Sequence, residues 1–266
     1  MSGRAGLVTK EQHGPWALII GGSEGIGAEL ANRLAGLGIN LVLIARRPES
    51  LASTAEMARA VGVQVRTLPY DASAGDLLER VRELTGDLEV GLLVHNVGGG
   101  GAGPVFDRPI DDVLGSAMVN CVNFTKLVHH YGRAMVHRGR GGIIAFSSMA
   151  GNVGSPLMAS YSGGKAYVQL FCEALWAELQ ASGVDVLCVP IGSADTPARR
   201  RSGVADNDLF PVARAEDIAD QALCEMGQGP VQVPAGSEQA FAAFATPDRR
   251  EAVNTIRWLL AEMSAA

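Results

Sequence analysis

Short apolar runs alternate along this chain with longer segments in which apolar residues recur every three or four positions. The first run, Trp16-Ala-Leu-Ile-Ile20, is typical of a buried strand. After a glycine-rich stretch, Ile26, Leu30 and Leu34 recur at helical spacing until Gly36 ends the pattern. The first part of the chain therefore predicts a strand, a turn and a helix in that order.

The same alternation continues through most of the remaining sequence. Further apolar runs predict strands at Ile39–Ala45, Val63–Leu68, Val90–Val94, Gly142–Phe146 and Val184–Pro190. Helical patterns are found at Ser50–Val61, Gly75–Leu84, Ile110–His137, Met158–Ala181 and, with an amphipathic pattern, Pro247–Met263. Strands separated by helices predict one α/β domain over residues 1–266, with a doubly wound, mostly parallel sheet and helices on both faces. Ligands of such folds bind beyond the carboxyl ends of the strands.

The glycine-rich turn after the first strand, Gly21-Gly-Ser-Glu-Gly25-Ile26-Gly27, has the composition of a phosphate-binding turn. Glycines permit a tight turn and let a ligand approach the backbone closely. The helix that follows presents free backbone N–H groups at its N-terminus, where a pyrophosphate binds well. The turn therefore predicts a dinucleotide site. The alternative is a turn that only packs the helix on the strand.

The segment with the most distinctive chemistry is Tyr161-Ser-Gly-Gly-Lys165, and Ser148 lies thirteen residues before its tyrosine. A phenol has an ordinary pKa of about 10, so it exchanges protons poorly at neutral pH. Residues i and i+4 share one face of a helix, so the Lys165 ammonium can lie close to the Tyr161 oxygen. Lowering that pKa to about 7 needs roughly 4 kcal/mol, which a cation about 4 Å away supplies at an effective dielectric constant of about 20. The spacing predicts that Lys165 lowers the pKa of Tyr161.

In their order along the chain, these segments resemble the short-chain dehydrogenase/reductase family in its compact single-domain form. The family's T-G-x-x-x-G-x-G turn is matched by Ile20–Gly27, and its N-N-A-G segment by His95–Gly98. Its P-G-x-V-x-T segment is matched loosely by Ile191–Thr196, with isoleucine in place of the proline. The resemblance covers roughly Trp16 to Val233 and implies a final strand at Pro230–Pro234.

The resemblance implies an oxidoreductase with four catalytic residues, Asn120, Ser148, Tyr161 and Lys165. Hydride would pass reversibly between a nicotinamide and a carbonyl or secondary alcohol. During reduction Tyr161 would give its proton to the substrate oxygen, and Ser148 would hold that oxygen. Asn120 would help hold a water that links Lys165 to solvent. The alternative class is a dinucleotide-binding sensor or scaffold, although such proteins usually lose the tyrosine or the lysine.

The same resemblance implies which residues bind the coenzyme. They are Gly21, Ser23, Gly25, Ile26, Gly27, Arg46, Arg47, Asp71, Asn96, Gly98, Tyr161, Lys165 and Thr196. Within this set Asp71 would bond the adenine amino group, Lys165 the nicotinamide ribose and Thr196 the carboxamide. For Asp71, the sequence also allows the role of an N-cap before the helical segment at Gly75.

The end of the second predicted strand bears on which nicotinamide coenzyme is used. Dinucleotide folds that bind NAD usually place an acidic residue there, whereas this chain has Ala45, Arg46 and Arg47. A guanidinium binds a 2′-phosphate through charge-assisted hydrogen bonds, so we expect a preference for NADP(H). Glu24 argues the other way, because some NADP-dependent members of the family carry a basic residue at its position. The alternative is NAD(H), with both arginines as solvated surface charges.

Composition narrows the possible functions. The net charge of −6 argues against nucleic acid as a partner. No apolar run approaches the length of a membrane span, and residues 1–14, predicted to be flexible, lack the hydrophobic stretch of a secretory signal. The five histidines show no metal-binding spacing, so no metal is expected. The four cysteines lie in apolar segments and show no paired spacing, which indicates reduced core thiols in a cytoplasmic protein. They are Cys121, Cys172, Cys188 and Cys224.

The segments predicted to surround the substrate are mostly apolar, and residues 193–212 are expected to form a substrate flap. Candidate pocket residues are Met149, Val153, Leu157, Met158, Leu209 and Phe210. An apolar pocket with two hydroxyl groups at its base suits a hydrophobic ketone or alcohol, such as a cyclic or steroid-like compound. The run Arg199–Arg201 either holds an anionic tail or lies solvated on the flap surface.

The family resemblance also implies a homodimer or homotetramer, in which the helices after the fourth and fifth strands pack against their copies. Apolar residues on more than one face of these helices would be costly in a monomer. They are Met118, Val119, Val122, Phe124, Leu127, Val128 and Tyr131 in the first segment, and Val168, Leu170, Phe171, Leu175 and Trp176 in the second. The alternative is that all of them face the sheet.

Overall fold

The computed structural model describes residues 7–202 and 212–265. Its centre is a parallel sheet of six strands in the order β3-β2-β1-β4-β5-β6. These strands are β1 Trp16–Ile20, β2 Asn40–Ala45, β3 Val65–Pro69, β4 Val90–His95, β5 Gly141–Ser148 and β6 Val184–Ile191. A separate parallel pair joins β7 Ser193–Asp195 to β8 Val212–Arg214. The doubly wound α/β fold predicted from the sequence is confirmed.

Helices lie on both faces of the central sheet. They are α1 Lys10–His13, α2 Gly25–Gly36, α3 Pro48–Ala60, α4 Leu77–Thr85, α5 Ile110–Ala117, α6 Phe124–Arg138, α7 Ala159–Glu178, α8 Pro197–Ser202, α9 Ala215–Cys224, α10 Glu238–Phe244 and α11 Arg249–Ala265. Two short 3-10 turns are at Val105–Asp107 and Met149–Gly151, and a π-helical turn is at Met118–Asn123.

All central strands except the half-buried β3 are buried on both faces, because alternate side chains enter two separate apolar clusters. On one face Ile19 and Leu41 pack with α2, α3 and α9. On the other face Leu18 and Leu93 pack with α4, α6 and α7. This arrangement explains why the strands are continuous apolar runs in the sequence. A third, smaller cluster joins the Met149–Gly151 turn to the C-terminal helices through Met149, Val153, Phe244, Ala252 and Ile256.

The single helix predicted over Ile110–His137 is interrupted by the π-helical turn between α5 and α6. Within this turn, Asn120 Nδ2 donates to the backbone carbonyl of Ser116 at 3.0 Å and to its hydroxyl at 3.3 Å. Side chain to backbone bonds of this kind compete with the regular helical ladder. The apolar pattern follows side-chain positions only, so it does not reveal the interruption. Single π-helical turns are frequent at functional sites.

The final strand expected at Pro230–Pro234 is reduced to one bridge to Cys188 of β6. Cys188 donates its N–H to the carbonyl of Pro230 at 2.8 Å, and Gln232 donates its N–H back to the carbonyl of Cys188 at 2.9 Å. The prolines at both ends of the segment have no N–H with which to extend the ladder. The expectation of a full strand is therefore wrong.

Residues 7–14 are packed against the domain, in contrast to the flexibility predicted for residues 1–14. Val8 is buried and donates its N–H to the carbonyl of Leu223 at 3.0 Å. The His13 ring is also buried, with Nε2 3.1 Å from a carboxylate oxygen of Asp185. His13 and Asp185 are 172 residues apart in sequence, so the local polar pattern does not reveal the contact. Residues 1–6 lie outside the described part of the chain.

All four cysteines are free thiols. Cys172 and Cys188 are buried, Cys121 is half-buried, and Cys224 is exposed at the end of α9. The expectation that every cysteine belongs to the core is therefore wrong for Cys224.

Within residues 7–202 and 212–265, no helix has the length and apolar character of a membrane span. The same ranges contain no group of three His, Cys, Asp or Glu side chains placed to hold a metal ion.

Candidate active site

A cleft of about 1510 Å³ opens at the carboxyl ends of the strands. Three of the predicted site residues do not line this cleft. Gly25 and Gly27 belong to the glycine turn, and Asn120 is fully buried. The other predicted site residues line the cleft: Gly21, Ser23, Ile26, Arg46, Arg47, Asp71, Asn96, Gly98, Ser148, Tyr161, Lys165 and Thr196. One cavity therefore contains both the predicted dinucleotide turn and the predicted reacting groups.

The glycine turn between β1 and α2 leaves no room for side chains. Gly21 has φ of 91°, and a Cβ there would lie 2.4 Å from the carbonyl oxygen of Asn96. A Cβ on Gly27 would lie 1.9 Å from the carbonyl oxygen of Gly21. Asn96 Nδ2 donates to that same Gly21 oxygen at 3.1 Å. The turn is therefore fixed against the end of β4 and requires glycine at both positions.

The first turn of α2 has backbone N–H groups that no side chain caps. Glu24 precedes the 12-residue helix without making a capping bond, and the first turn contains no acidic residue. Uncapped N–H groups at the start of a helix attract phosphate through hydrogen bonds and the helix dipole. Together with the glycine turn, they fit the pyrophosphate of a dinucleotide.

Ser148 and Tyr161 meet inside the cleft. Ser148 ends β5 in an extended conformation, and Tyr161 lies in the first turn of α7. The Ser148 hydroxyl is close enough to the Tyr161 phenol to act on its pKa, and Ser148 Oγ accepts the N–H of Ala150 at 3.2 Å. The two hydroxyls therefore form one polar site next to the apolar part of the cleft.

Lys165 follows Tyr161 by one helical turn and is only 3% exposed. Its Nζ donates to the carbonyl of Phe146 at 2.7 Å and to that of Val97 at 2.8 Å. The same nitrogen lies 5.9 Å from the centroid of the Tyr161 ring. Burial lowers the pKa of Lys165 to about 8. The amine is therefore held by backbone carbonyls beside the phenol.

The pKa of Tyr161 moves in the opposite direction from the sequence prediction. Burial raises this pKa above its ordinary value, and the nearby Ser148 hydroxyl offsets part of the rise. The Lys165 Nζ donates to two backbone carbonyls. The prediction that Lys165 lowers the pKa of Tyr161 is therefore wrong for this arrangement, and the phenol is protonated at neutral pH.

Asn120 is fully buried in the π-helical turn, where both bonds of its Nδ2 go to Ser116. Its Oδ1 is also buried and accepts no hydrogen bond from the described residues. Buried polar atoms in native proteins are nearly always paired with protein or water. Asn120 therefore has the free acceptor that the water link expected from the family resemblance requires.

His95 lies next to this cluster, although the sequence marked it only as a departure from the family's asparagine. Its ring is 1% exposed and lies 4.9 Å from the Phe124 ring. Burial and the nearby charge of Lys165 lower the pKa of His95 to about 3. His95 is therefore neutral at physiological pH and adds no charge beside Lys165.

The arginines that follow β2 line the cleft as predicted, but they differ in their partners. Arg46 is 72% exposed, and its guanidinium lies 4.0 Å from the Asp71 carboxylate. Arg47 donates to both carboxylate oxygens of Glu24 at 3.0 Å. Arg201 of α8 bonds the same carboxylate. Sequence reasoning missed this last contact because 177 residues separate its partners.

Asp71 and Thr196 line the cleft and also make local hydrogen bonds. Asp71 Oδ1 accepts the N–H and the hydroxyl of Ser73, both at 2.8 Å. Because α4 begins after Asp76, the alternative role of Asp71 as its N-cap is wrong. Thr196 Oγ1 accepts the N–H of Arg199 at 3.2 Å, which caps α8. Both residues remain in reach of a ligand in the cleft.

The cleft has apolar lining residues together with charged ones such as Arg108, Asp111 and Asp112. Three of the six predicted pocket residues line it, namely Met149, Leu157 and Met158. Val153 is buried in the third apolar cluster instead. Leu209 and Phe210, with the rest of residues 203–211 of the expected flap, lie outside the described part of the chain.

Two side chains of the C-terminal helices also line the cleft, Phe244 of α10 and Ile256 of α11. Both belong to the third apolar cluster, which holds these helices against the Met149–Gly151 turn. The amphipathic pattern of the last predicted helix signalled that it covers something apolar. The pattern allows either the site or a subunit contact as the covered surface, and Phe244 lies before that pattern begins.

The dinucleotide turn and the serine, tyrosine and lysine side chains define the class of protein, and comparison with known proteins names its family. The model of the short chain dehydrogenase family matches residues 15–206. A 7β-hydroxysteroid dehydrogenase of Collinsella aerofaciens is 33% identical over 224 residues, which span 82% of this chain and 85% of that protein. The chain belongs to the short-chain dehydrogenase/reductase family, whose members are oxidoreductases acting on CH–OH or C=O groups.

Solved structures agree with this assignment. A 7β-hydroxysteroid dehydrogenase structure has a TM-score of 0.87 and 27% sequence identity, and the match covers 93% of this chain and 98% of that one. A short-chain dehydrogenase from Sphingobium yanoikuyae in complex with NADPH has a TM-score of 0.74 and 28% identity, covering 93% and 95% of the two chains. The similarity extends beyond the range of the family model into the C-terminal part of the fold.

Proposed function

We propose that this protein is an NADP(H)-dependent oxidoreductase that transfers hydride between the nicotinamide and the carbonyl or secondary alcohol of a hydrophobic, cyclic or steroid-like substrate. The observation that carries the proposal is that Ser148, Tyr161 and Lys165 line the same cleft as a turn suited to a pyrophosphate. Hydroxyl groups that can hold a substrate oxygen thus share one cavity with a dinucleotide cradle.

The residues of the cleft have the chemistry to hold the coenzyme. The glycine turn and the N–H groups of α2 would bind the pyrophosphate, and Asp71 the adenine. Asn96 and Gly98 would lie along the adenosine ribose, Lys165 would bond the nicotinamide ribose and Thr196 the carboxamide. The bound coenzyme supplies or accepts the hydride. Proton transfer to and from the substrate oxygen falls to a side chain of this chain.

Tyr161 is the proposed proton donor to the substrate oxygen during reduction. Burial keeps its pKa high, so the phenol carries its proton at neutral pH. Ser148, which lines the same cleft as that phenol, would position the substrate oxygen. Lys165, with a pKa of about 8, can exchange protons near neutral pH, and Asn120 would hold the water that connects it to solvent. A proton-transfer residue of this kind contributes about 10² to 10⁴ in rate.

A preference for NADP(H) is supported by the charges at the end of β2. Ala45 stands where NAD-binding folds usually have an acidic residue, and the exposed Arg46 guanidinium is accessible to a 2′-phosphate. Dependence on NAD(H) is the competing proposal, favoured by the Glu24 carboxylate in the same part of the cleft. Fluorescence titration with both reduced coenzymes discriminates between them. Tighter binding of NADPH is expected, and equal or tighter binding of NADH contradicts the preference.

The apolar end of the cleft supports a bulky hydrophobic substrate. Met149, Leu157, Phe244 and Ile256 line the cleft that also contains the two hydroxyls, and the Collinsella relative carries a hydroxysteroid dehydrogenase name. The test is NADPH oxidation with a panel of ketones of increasing size, including fused-ring ketones. We expect turnover to favour the large apolar ketones. Coenzyme binding without turnover of any ketone supports the alternative of a non-catalytic sensor or scaffold.

We also propose a homo-oligomer. Most of the apolar residues expected at a subunit contact face the sheet, but Val122 and Leu170 are 41% and 64% exposed. The alternative that all of these residues face the sheet is therefore wrong for these two. Light scattering at dilute concentration is expected to give a multiple of the subunit mass, and a single species of subunit mass would refute the oligomer.

The free thiols fit a reducing compartment, so we place the protein in the cytoplasm.

A further inference from the structure

Ser116, in the last turn of α5, lies where three parts of the candidate active site meet. Its side chain is completely buried. Its hydroxyl donates at 3.2 Å to the backbone carbonyl of Ser160, the residue directly before Tyr161. Asn120 Nδ2 donates to the carbonyl and to the hydroxyl of Ser116. A Cβ on Gly100, which lines the cleft, would lie 3.2 Å from the Ser116 Cβ, so Ser116 contacts α7, the π-helical turn and the segment after β4.

The direction of each hydrogen bond in this group follows from the chemistry of its partners. A carbonyl oxygen only accepts, so the Ser116 hydroxyl gives its single proton to Ser160. The lone pairs of that hydroxyl then accept, and the Asn120 group that faces them is the NH2 group. The Ser116 carbonyl requires the same orientation of the amide. Both Nδ2 protons of Asn120 are therefore paired with Ser116, and Oδ1 is left on the other side of the amide.

We propose that Ser116 is a positioning residue of the proton path, because it fixes the Asn120 amide and so keeps Oδ1 available to the water that links Lys165 to solvent. This role rests on the proposed function and adds a residue to it. Ser116 does not line the cleft, so it acts through Asn120 and not on substrate or coenzyme. Loss of its hydroxyl would leave one buried N–H of Asn120 without an acceptor, and the amide would rotate to find another.

The kinetic test is Ser116→Ala, assayed by NADPH oxidation with a ketone that the wild type reduces. We expect kcat to fall about tenfold, less than the 10² to 10⁴ that a proton-transfer residue itself contributes. KM and the Kd for NADPH should stay within about twofold. The solvent deuterium isotope effect on kcat should increase, because proton delivery becomes the slow step. Loosened packing alone would not produce that increase.

A double-mutant cycle tests whether Ser116 acts through Asn120. In the Asn120→Ala background, Ser116→Ala is expected to have no further effect on kcat, because the amide that it positions is absent. Ser116→Cys provides a second variant of similar size whose thiol forms only weak hydrogen bonds. It should resemble Ser116→Ala, and it replaces that variant in the cycle if the alanine protein does not fold.

The matched control is Ser160→Ala, which removes another hydroxyl between α5 and α7. The Ser160 hydroxyl donates to the carbonyl of Val113 at 2.5 Å and does not line the cleft. This variant loses a hydrogen bond between the same two helices but keeps the contacts of Ser116 with Asn120. We expect its kcat and isotope effect to stay within about twofold of the wild type. Circular dichroism and thermal unfolding show that each variant is folded.

Hydrogen exchange of the Asn120 side-chain amide tests the positioning without any substrate. The signals are measured by NMR on protein labelled with ¹⁵N-asparagine and are identified by their loss in Asn120→Ala. In the wild type the two buried, paired protons should exchange slowly. In Ser116→Ala exchange should be about tenfold faster, because an N–H without an acceptor is released more easily by local opening.

The proposal is overturned if Ser116→Ala keeps the wild-type kcat, or if it lowers kcat as much in the Asn120→Ala background as in the wild type. An equal loss in Ser160→Ala would also overturn it, because the effect would then come from helix packing. If the folded wild type reduces no ketone, the proposed function fails and the proton-path role fails with it. Unchanged Asn120 amide exchange in Ser116→Ala contradicts the positioning itself, whatever the activity.

Discussion

Helix α7 passes so close to the π-helical turn that a Cβ on Gly164 would lie 2.9 Å from the Cβ of Asn120. The close approach brings the helix that carries Tyr161 and Lys165 against the turn that carries Asn120. The Asn120 side chain is fully buried and tied to Ser116, so it cannot move aside easily. The geometry of the candidate catalytic residues therefore depends on the absence of a side chain at position 164.

Gly164→Ala is predicted to lower both stability and turnover. An extra methyl in a packed interior costs about 1–3 kcal/mol, and its relief would displace α7 from the turn. The neighbouring Gly163→Ala is the control, because a Cβ at that position has no atom within 4 Å. Alanine there is expected to stabilise the helix by about 0.5–1 kcal/mol. Urea unfolding and kcat measure both effects, and equal behaviour of the two variants would contradict the proposed close packing.

The stability difference between wild type and Lys165→Met is predicted to depend on pH. Burial lowers the pKa of Lys165 from 10.5 to about 8 in the folded protein. Between those values the unfolded chain binds more protons than the folded one, so the contribution of Lys165 to stability rises with pH. Below about pH 8 the folded protein carries the full cost of burying the charged Lys165 amine. Above that pH the amine loses its proton, and this cost declines by up to about 3 kcal/mol.

The measurement for this prediction is the free energy of unfolding of both proteins from pH 7 to pH 10 in urea. Other titrating groups are shared by the two proteins and cancel in the difference. The free energy of unfolding of the methionine variant minus that of the wild type should be most favourable to the variant at pH 7. Above pH 8 this difference should shift steadily in favour of the wild type. A difference that is constant across this range would show that Lys165 has an ordinary pKa.

Phe244→Ala is predicted to change which substrates are accepted. Phe244 lines the apolar end of the cleft and packs in the third apolar cluster. Loss of its contact area is expected to raise KM for a fused-ring ketone about tenfold, which corresponds to about 1.4 kcal/mol. KM for a small ketone should stay within about twofold, because a small substrate does not reach the C-terminal helices.

The control for this variant is Phe241→Ala, on the same helix and against the same cluster but outside the cleft lining. It separates loss of substrate contact from loosening of α10. If the two alanine variants change KM for the large ketone equally, the effect comes from helix docking and not from contact with the substrate.

Much of the fold follows from local patterns. Apart from β3, each central strand is a short apolar run because both of its faces are buried, so its place in the sequence is visible without knowledge of its neighbours. The glycine turn and the Tyr161–Lys165 spacing are also local features. They pointed to residues that line one cleft, among them Ser148, Tyr161 and Lys165.

The features that were missed depend on contacts between distant parts of the chain. The N-terminal segment is held by partners such as Asp185, and Glu24 is bound by Arg201 from α8. The direction of the Tyr161 pKa depends on how deeply the phenol is buried and on where the Lys165 amine donates its hydrogen bonds. Neither quantity is encoded in a spacing of four residues.

The central claim is that the Tyr161 phenol transfers the proton to or from the substrate oxygen. Tyr161→Phe tests it, because the change removes one oxygen and keeps the ring. The matched control is Tyr167→Phe on the same helix, whose exposed phenol bonds Thr125 and does not line the cleft.

The most direct measurement is kcat of Tyr161→Phe on a ketone that the wild type reduces, with the NADPH Kd determined on the same samples. The account predicts that kcat falls by about 10² to 10⁴, that the Kd stays within about threefold, and that Tyr167→Phe retains wild-type turnover. Near-normal kcat in Tyr161→Phe would contradict the account.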